Sequence, residues 1–196
     1  MDTTMRAGYT ILMNEETAQH REPVRVQLRA LVPTPRGVGV FLTDGEKTIA
    51  IFVDAYVAAA ISMFASGTRA PRPLTHDLIV AILQGFGARL AKVVINDLKD
   101  NTFYARLFIV QERDDGQHVI EIDARPSDSI ALAIQQGCPI WVARSVWDQT
   151  EDATWALEEA ERQAREQSGE NPPSDSNPPQ GPSPEDEPDL PGLDRT

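Results

Sequence analysis

Apolar and polar side chains begin to alternate at Val24. Val24-Arg-Val-Gln-Leu-Arg-Ala30 places an apolar residue at every second position, the period of a strand with one buried face, and Pro33 and Pro35 close the run. Residues 37–42 and 48–53 are two more β-rich runs, and Asp44-Gly45 between them predicts a hairpin. At Asp54 the period changes. Residues 55–65 read as a helix, with Asp54 accepting the free N–H groups at its start and Gly67 beyond its end. A connection with two prolines follows over 68–73. Thr75 then predicts the N-cap of a second helix, in which Leu78, Ile79, Ile82, Leu83 and Phe86 make one apolar stripe.

Three strands are expected next, over 90–95, 102–110 and 119–123. The first pair is joined across 96–101 and the second across Asp114-Asp-Gly116, both rich in turn formers. A third helix is expected over 127–136, with Ile130, Ala133 and Ile134 inward and Gly137 at its end, then a short strand over 139–143. Asp148 and Glu151 have capping-box spacing for a C-terminal helix over 148–168, with a thin apolar face of Trp155, Ala156, Ala160 and Ala164. Residues 169–196 hold eight of the fifteen prolines and two large aliphatics, too little apolar area to offset the entropy of ordering. The expected organisation is a loose leader over 1–22 and one α+β domain over 23–147. That domain combines mixed and antiparallel strands with three helices. The C-terminal helix and a disordered acidic tail follow.

Charge sharpens this division. Residues 1–150 carry 17 acids against 15 Lys and Arg, a net charge of −2, whereas residues 151–196 carry 13 acids against three arginines, a net −10. The low pI therefore belongs to the end of the chain, and the domain is close to neutral. Cys138 is the only cysteine, which excludes an intrachain disulfide and a cysteine-based zinc site. It reads as a small buried hydrophobe. The opening residues lack the apolar core of a signal peptide, and the most apolar stretch, 55–65, is too short to span a bilayer. A soluble, cytoplasmic protein with no membrane partner is the expectation.

Three segments carry a resemblance. Arg72-Pro-Leu-Thr-His-Asp-Leu78, Val93-Val-Ile-Asn-Asp-Leu-Lys-Asp-Asn-Thr-Phe-Tyr-Ala105 and Glu121-Ile-Asp-Ala-Arg-Pro-Ser-Asp-Ser-Ile-Ala-Leu-Ala133 resemble, in order and separation, the signature stretches of the bifunctional nuclease domain family. The resemblance covers residues 24–147. It implies a small α+β domain that assembles as a homo-oligomer and acts as a nuclease on RNA and DNA. One position departs from the family: Val57 stands where relatives often carry a glutamate early in the first helix.

Metal-assisted hydrolysis of a phosphodiester needs carboxylates for a divalent ion such as Mg²⁺ or Mn²⁺, cations for the phosphate and a group that moves a proton. Asp97 and Asp100, expected on one turn, and Asp123, on the polar side of its strand, are the candidate metal ligands. Arg72 and Arg125 are candidates for the phosphate, and His76, Asp123 and Arg125 for catalysis. Each also has a structural reading. Ser127 and Asp128 suit a helix start, as does Asp77, and Asp97 and Asp100 suit a hairpin. His76 suits a local hydrogen bond, and Arg125 an ion pair to Asp97 or Asp123. The alternative to a nuclease is therefore a non-enzymatic oligomeric interaction domain in which these residues fix the fold.

Overall fold

Seven strands form one sheet in the order β3-β2-β1-β7-β4-β5-β6. In the computed structural model, which describes residues 22–35 and 37–168, these are β1 (Val24–Thr34), β2 (Gly37–Thr43), β3 (Thr48–Val53), β4 (Ala88–Lys99), β5 (Thr102–Arg113), β6 (Gly116–Ala124) and β7 (Ile140–Val142). The helices are α1 (Ala55–Ala65), α2 (Thr75–Gly85), α3 (Pro126–Gln136), α4 (Arg144–Gln149) and α5 (Thr154–Ser168). The α+β expectation holds. The chain divides into two compact units, one ending at Glu159 and one starting at Ala160, and the described part of the second is the last turns of α5. The leader, except Glu22, and the acidic tail lie outside the described residues.

Every neighbouring pair of strands is antiparallel except β4 with β7. The sheet is thus two antiparallel meanders, β1–β2–β3 and β4–β5–β6, joined by the three residues of β7. α1 packs on α3, and α3 covers β4 and β5. Ile61, Val93, Ile95, Ile130 and Val142 are fully buried between these layers. Truncating one of the isoleucines to alanine should cost about 2–5 kcal/mol, as lost transfer energy plus a cavity.

Local details depart from the sequence expectations for physical reasons. Asp54 precedes α1 without a side-chain cap bond. Thr75 is the first helical residue of α2; the cap position is Leu74, whose N–H donates to Oδ2 of Asp77 at 2.6 Å. The expected single stripe of α2 is split. Ile79 and Leu83 pack on the core with Val80, while Leu78, Ile82 and Phe86 are 57%, 49% and 72% exposed. The meander strands are longer than expected because their turns shrink to two residues. Asp100 and Asn101 both have positive φ, 49° and 59°, the pairing of a tight hairpin that matches strand twist. The C-terminal helix starts at Thr154, not 148. Asp152 caps it, its Oδ1 accepting from the Thr154 N–H at 2.9 Å and hydroxyl at 2.6 Å, and Asp148 instead ion-pairs with Arg144 in α4.

Candidate functional site

The turn from β6 into α3 brings the first and third signature segments together. Pro126 occupies the first turn of α3, where its missing N–H costs nothing, and it holds Arg125 extended at φ −68°, ψ 143°. That geometry folds the guanidinium back along the helix start. Nε donates to Oδ2 of Asp128 at 2.9 Å and Nη2 to Oδ1 at 3.4 Å. Oδ1 of Asp128 lies 3.7 Å from Nε2 of His76, near the start of α2. His76 is buried at 9% exposure, with its ring edge-on to Phe64. The hydrogen bond to Asp128, aided by its charge, holds the Arg125 guanidinium above its already high ordinary pKa. The bridge expected from Arg125 to Asp97 or Asp123 is therefore made to Asp128.

A cleft of about 390 Å³ opens beside this cluster. It is lined by Val53 and Asp54 ahead of α1, by Asn101, Thr102 and Phe103 at the β4–β5 turn, and by Arg125, Pro126 and Ser127 at the start of α3. The second signature segment thus reaches the same place through its turn. Neither α1 nor α3 has a side-chain cap bond at its N-terminus, so free N–H groups of two helices face this region together with the carboxylates of Asp54 and Asp128. Asp77 serves elsewhere. Its carboxylate accepts from Leu74 and, at 2.5 Å, from Nε2 of Gln135, and it lines a separate cleft of about 580 Å³ with Arg69.

The three candidate metal ligands do not come together. Asp97 is a residue of β4 rather than of the turn, opposite Tyr104. It ion-pairs with Lys99, and the hydrogen bond from Lys99 leads the causes that hold its carboxyl below the ordinary value. Asp100 sits exposed in the left-handed turn. Asp123 is exposed on β6, opposite Arg106, two strand spacings or about 10 Å across the sheet from β4. Among the described residues no group of three or more His, Cys, Asp or Glu is placed to hold a metal ion. Arg72 is exposed in the connection between α1 and α2. The linking residue that sequence reasoning passed over is Asp128, read only as a helix-start acid. Its signal was the i,i+3 spacing from an arginine held by a following proline.

Comparison with known proteins places the whole arrangement. Residues 40–154 match the bifunctional nuclease domain. The chain belongs to that family. An uncharacterized protein of Mycobacterium tuberculosis is 38% identical over 127 residues, covering 60% of this chain and 73% of its own. Bifunctional nuclease 1 of Oryza sativa subsp. japonica is 27% identical over 78 residues, covering 40% of this chain and 23% of its own, and the bifunctional nuclease of Oryza minuta matches equally. The three segments that carry the resemblance lie within the matched residues and meet around Arg125. Val57, at the departing position, is half-buried against the core. Among the described residues no helix is long and apolar enough to cross a membrane.

Proposed function

We propose that this protein is a nuclease that hydrolyses phosphodiester bonds of RNA and DNA, with the cleft at the start of α3 receiving the phosphate. The observation that carries the reading is the junction of His76, Asp128 and Arg125 beside that cleft, in a chain of the bifunctional nuclease domain family. Arg125 is 66% exposed along its side chain while two of its nitrogens are held by Asp128, so its remaining edge is pre-aimed to donate to a phosphate oxygen. The N-terminus of α3 favours the same anion, against the charge of Asp54 at the start of α1. His76, 3.7 Å from the Asp128 carboxylate, is the group that can hold or pass a proton there. Asp97, Asp100 and Asp123 do not fit one shared Mg²⁺ or Mn²⁺, so no step is assigned to an ion held by them. Rice relatives named bifunctional nucleases support the activity class.

The test incubates purified protein with single-stranded RNA and DNA in Mg²⁺, Mn²⁺ or chelator, beside Arg125→Ala and Asp123→Ala. Cleavage by the wild type that falls at least tenfold in Arg125→Ala supports the reading. Absence of cleavage in every condition, or unchanged cleavage in Arg125→Ala, overturns it.

A specific observation favours self-assembly as a second reading, the oligomeric interaction domain. β6 is an edge strand whose Val119, Ile120 and Ile122 are exposed, and its outer row of N–H and C=O groups is a template for another strand. Two copies pairing antiparallel about Ile120 set Val119 against Glu121, bring no like charges opposite each other, and direct Asp115 toward Arg125 of the second copy. Light scattering should then find a dimer that Ile120→Lys returns to monomer; a monomeric wild type excludes this pairing.

A further inference from the structure

The face of the sheet turned away from α3 carries a pattern that the α3 cleft does not use. Strand register fixes which side chains share it. Arg25 pairs with Trp141, Trp141 with Val94, Val94 with Arg106, and Arg106 with Asp123, giving one row across β1, β7, β4, β5 and β6. The next row runs Lys92, Phe108, Glu121, and beyond it lies Arg89 opposite Val110. Along β5 this face therefore reads Tyr104, Arg106, Phe108, spaced about 6.8 Å apart. Arg25, Arg89, Lys92, Tyr104 and Arg106 are exposed, and Phe108 and Trp141 are half-exposed. Lys92 Nζ sits 4.6 Å from the centroid of the Phe108 ring, and Arg106 bonds Glu121 at 2.9 Å.

The charges in these rows are segregated. Within them the cations lie on β1, β4 and β5 and the acids, Glu121 and Asp123, on the edge strand β6; further along the same face Asp97 of β4 stands opposite Tyr104 in an ion pair with Lys99, and Glu112 lies near the end of β5. We infer that this face binds single-stranded nucleic acid, with the backbone phosphates over Arg25, Arg89, Lys92 and Arg106 and unstacked bases against Phe108, Trp141 and Tyr104. Cations that follow a backbone, with ring faces between them, recognise a single strand whose bases are free to stack. A duplex hides those base faces and gains only the phosphate contacts. The inference deepens the proposed function and rests on it for the class of ligand. It also puts Asp123 at the end of the cationic row, two residues before Arg125.

Binding of a fluorescein-labelled oligothymidylate in chelator, followed by anisotropy, tests this with the full chain. The variant Arg25→Gln/Lys92→Gln/Phe108→Leu removes two cations and one ring face while keeping the apolar bulk of Phe108. The expected result is tighter binding of the single strand than of its duplex. In the variant the dissociation constant should rise at least tenfold, and the slope of log affinity against log salt should shrink by about 1.4, or about 0.7 per lost phosphate contact. Affinity unchanged in a folded variant, or equal affinity for duplex, overturns the inference. The two readings fail separately. Cleavage by a variant that binds as tightly as wild type removes this surface and keeps the nuclease. Binding that depends on this surface in a protein that cuts nothing does the reverse.

Discussion

Arg125 and His76, 49 positions apart in sequence, meet at one carboxylate. Asp128 accepts from Arg125 at 2.9 Å and faces Nε2 of His76 at 3.7 Å. If this carboxylate is what aims both groups, Asp128→Asn should lower cleavage of RNA and DNA at least tenfold. Arg125 has 66% of its side chain in water, and exposed pairs of this kind contribute little to stability, so the thermal midpoint should barely move. Parallel activity and melting measurements check this. A large loss of stability with activity per folded molecule intact would mean that Asp128 only caps α3.

Gly37 makes a sharper prediction about the fold. It opens β2 at φ +127°, and a Cβ placed there would lie 2.6 Å from the carbonyl oxygen of Val53. Backbone conformation and space both reject a side chain. Gly37→Ala should therefore destabilise by about 2 kcal/mol or more, from strain of about 1–3 kcal/mol with a backbone clash added. Urea unfolding measures it. Gly45, also at positive φ, has nothing within 4 Å, so Gly45→Ala should lose less.

Asp152 links the start of α5 to the hairpin of β2 and β3. Hydrogen bonds from Thr154 lead the causes that hold its carboxyl below the ordinary value, with a further bond from the Thr48 N–H and the charge of Lys47. A depressed acid contributes stability above its unfolded pKa, 3.8, and loses it as pH falls through the lower folded value. Asp152→Ala should cost about 1 kcal/mol at neutral pH, the usual value of an N-cap. The difference between the two proteins should close as acid protonates the wild-type carboxyl. Melting curves from pH 7 into the acid range read both effects; a gap independent of pH would remove the charge from the account.

Cys138 offers a chemical readout of the same unit. Burial pushes its thiol up to about 11, so the reactive thiolate is scarce at pH 8. Native protein should react with iodoacetamide at least tenfold more slowly than urea-unfolded protein, as mass spectrometry of timed samples would show. Equal rates would place the sulfur in water.

Most of the fold was legible because most of it is local. The alternation in β1, the Asp44-Gly45 hairpin and the helix over 55–65 each declare themselves within a dozen residues. α2 was read less well. The step of three and four residues found its apolar positions, but no local signal says that Ile79 and Leu83 face the core while Leu78, Ile82 and Phe86 do not. That choice is made by the sheet, and by anything that covers the other side. Asp97 was misplaced for a related reason. Turn-forming residues over 96–101 suggested a wide loop, but two left-handed residues at 100 and 101 turn the chain and free the rest to pair. In β5 the alternation of Tyr104, Arg106 and Phe108 was present in the sequence all along. It acquired meaning only when the register set it beside Lys92, Trp141 and Arg25.

The three residues of β7 have a consequence for synthesis. They sit at the middle of the sheet, yet they are the last of its strands to be made, and β1 and β4 do not pair with each other without them. During translation α1 can already pack on α3, but the sheet stays in two pieces, each with an open edge, until Val142 arrives to close both at once. A chain released before Ile140 should therefore be cut by protease at the open edges of β1 and β4, and one released just beyond Trp147 should resist cutting there.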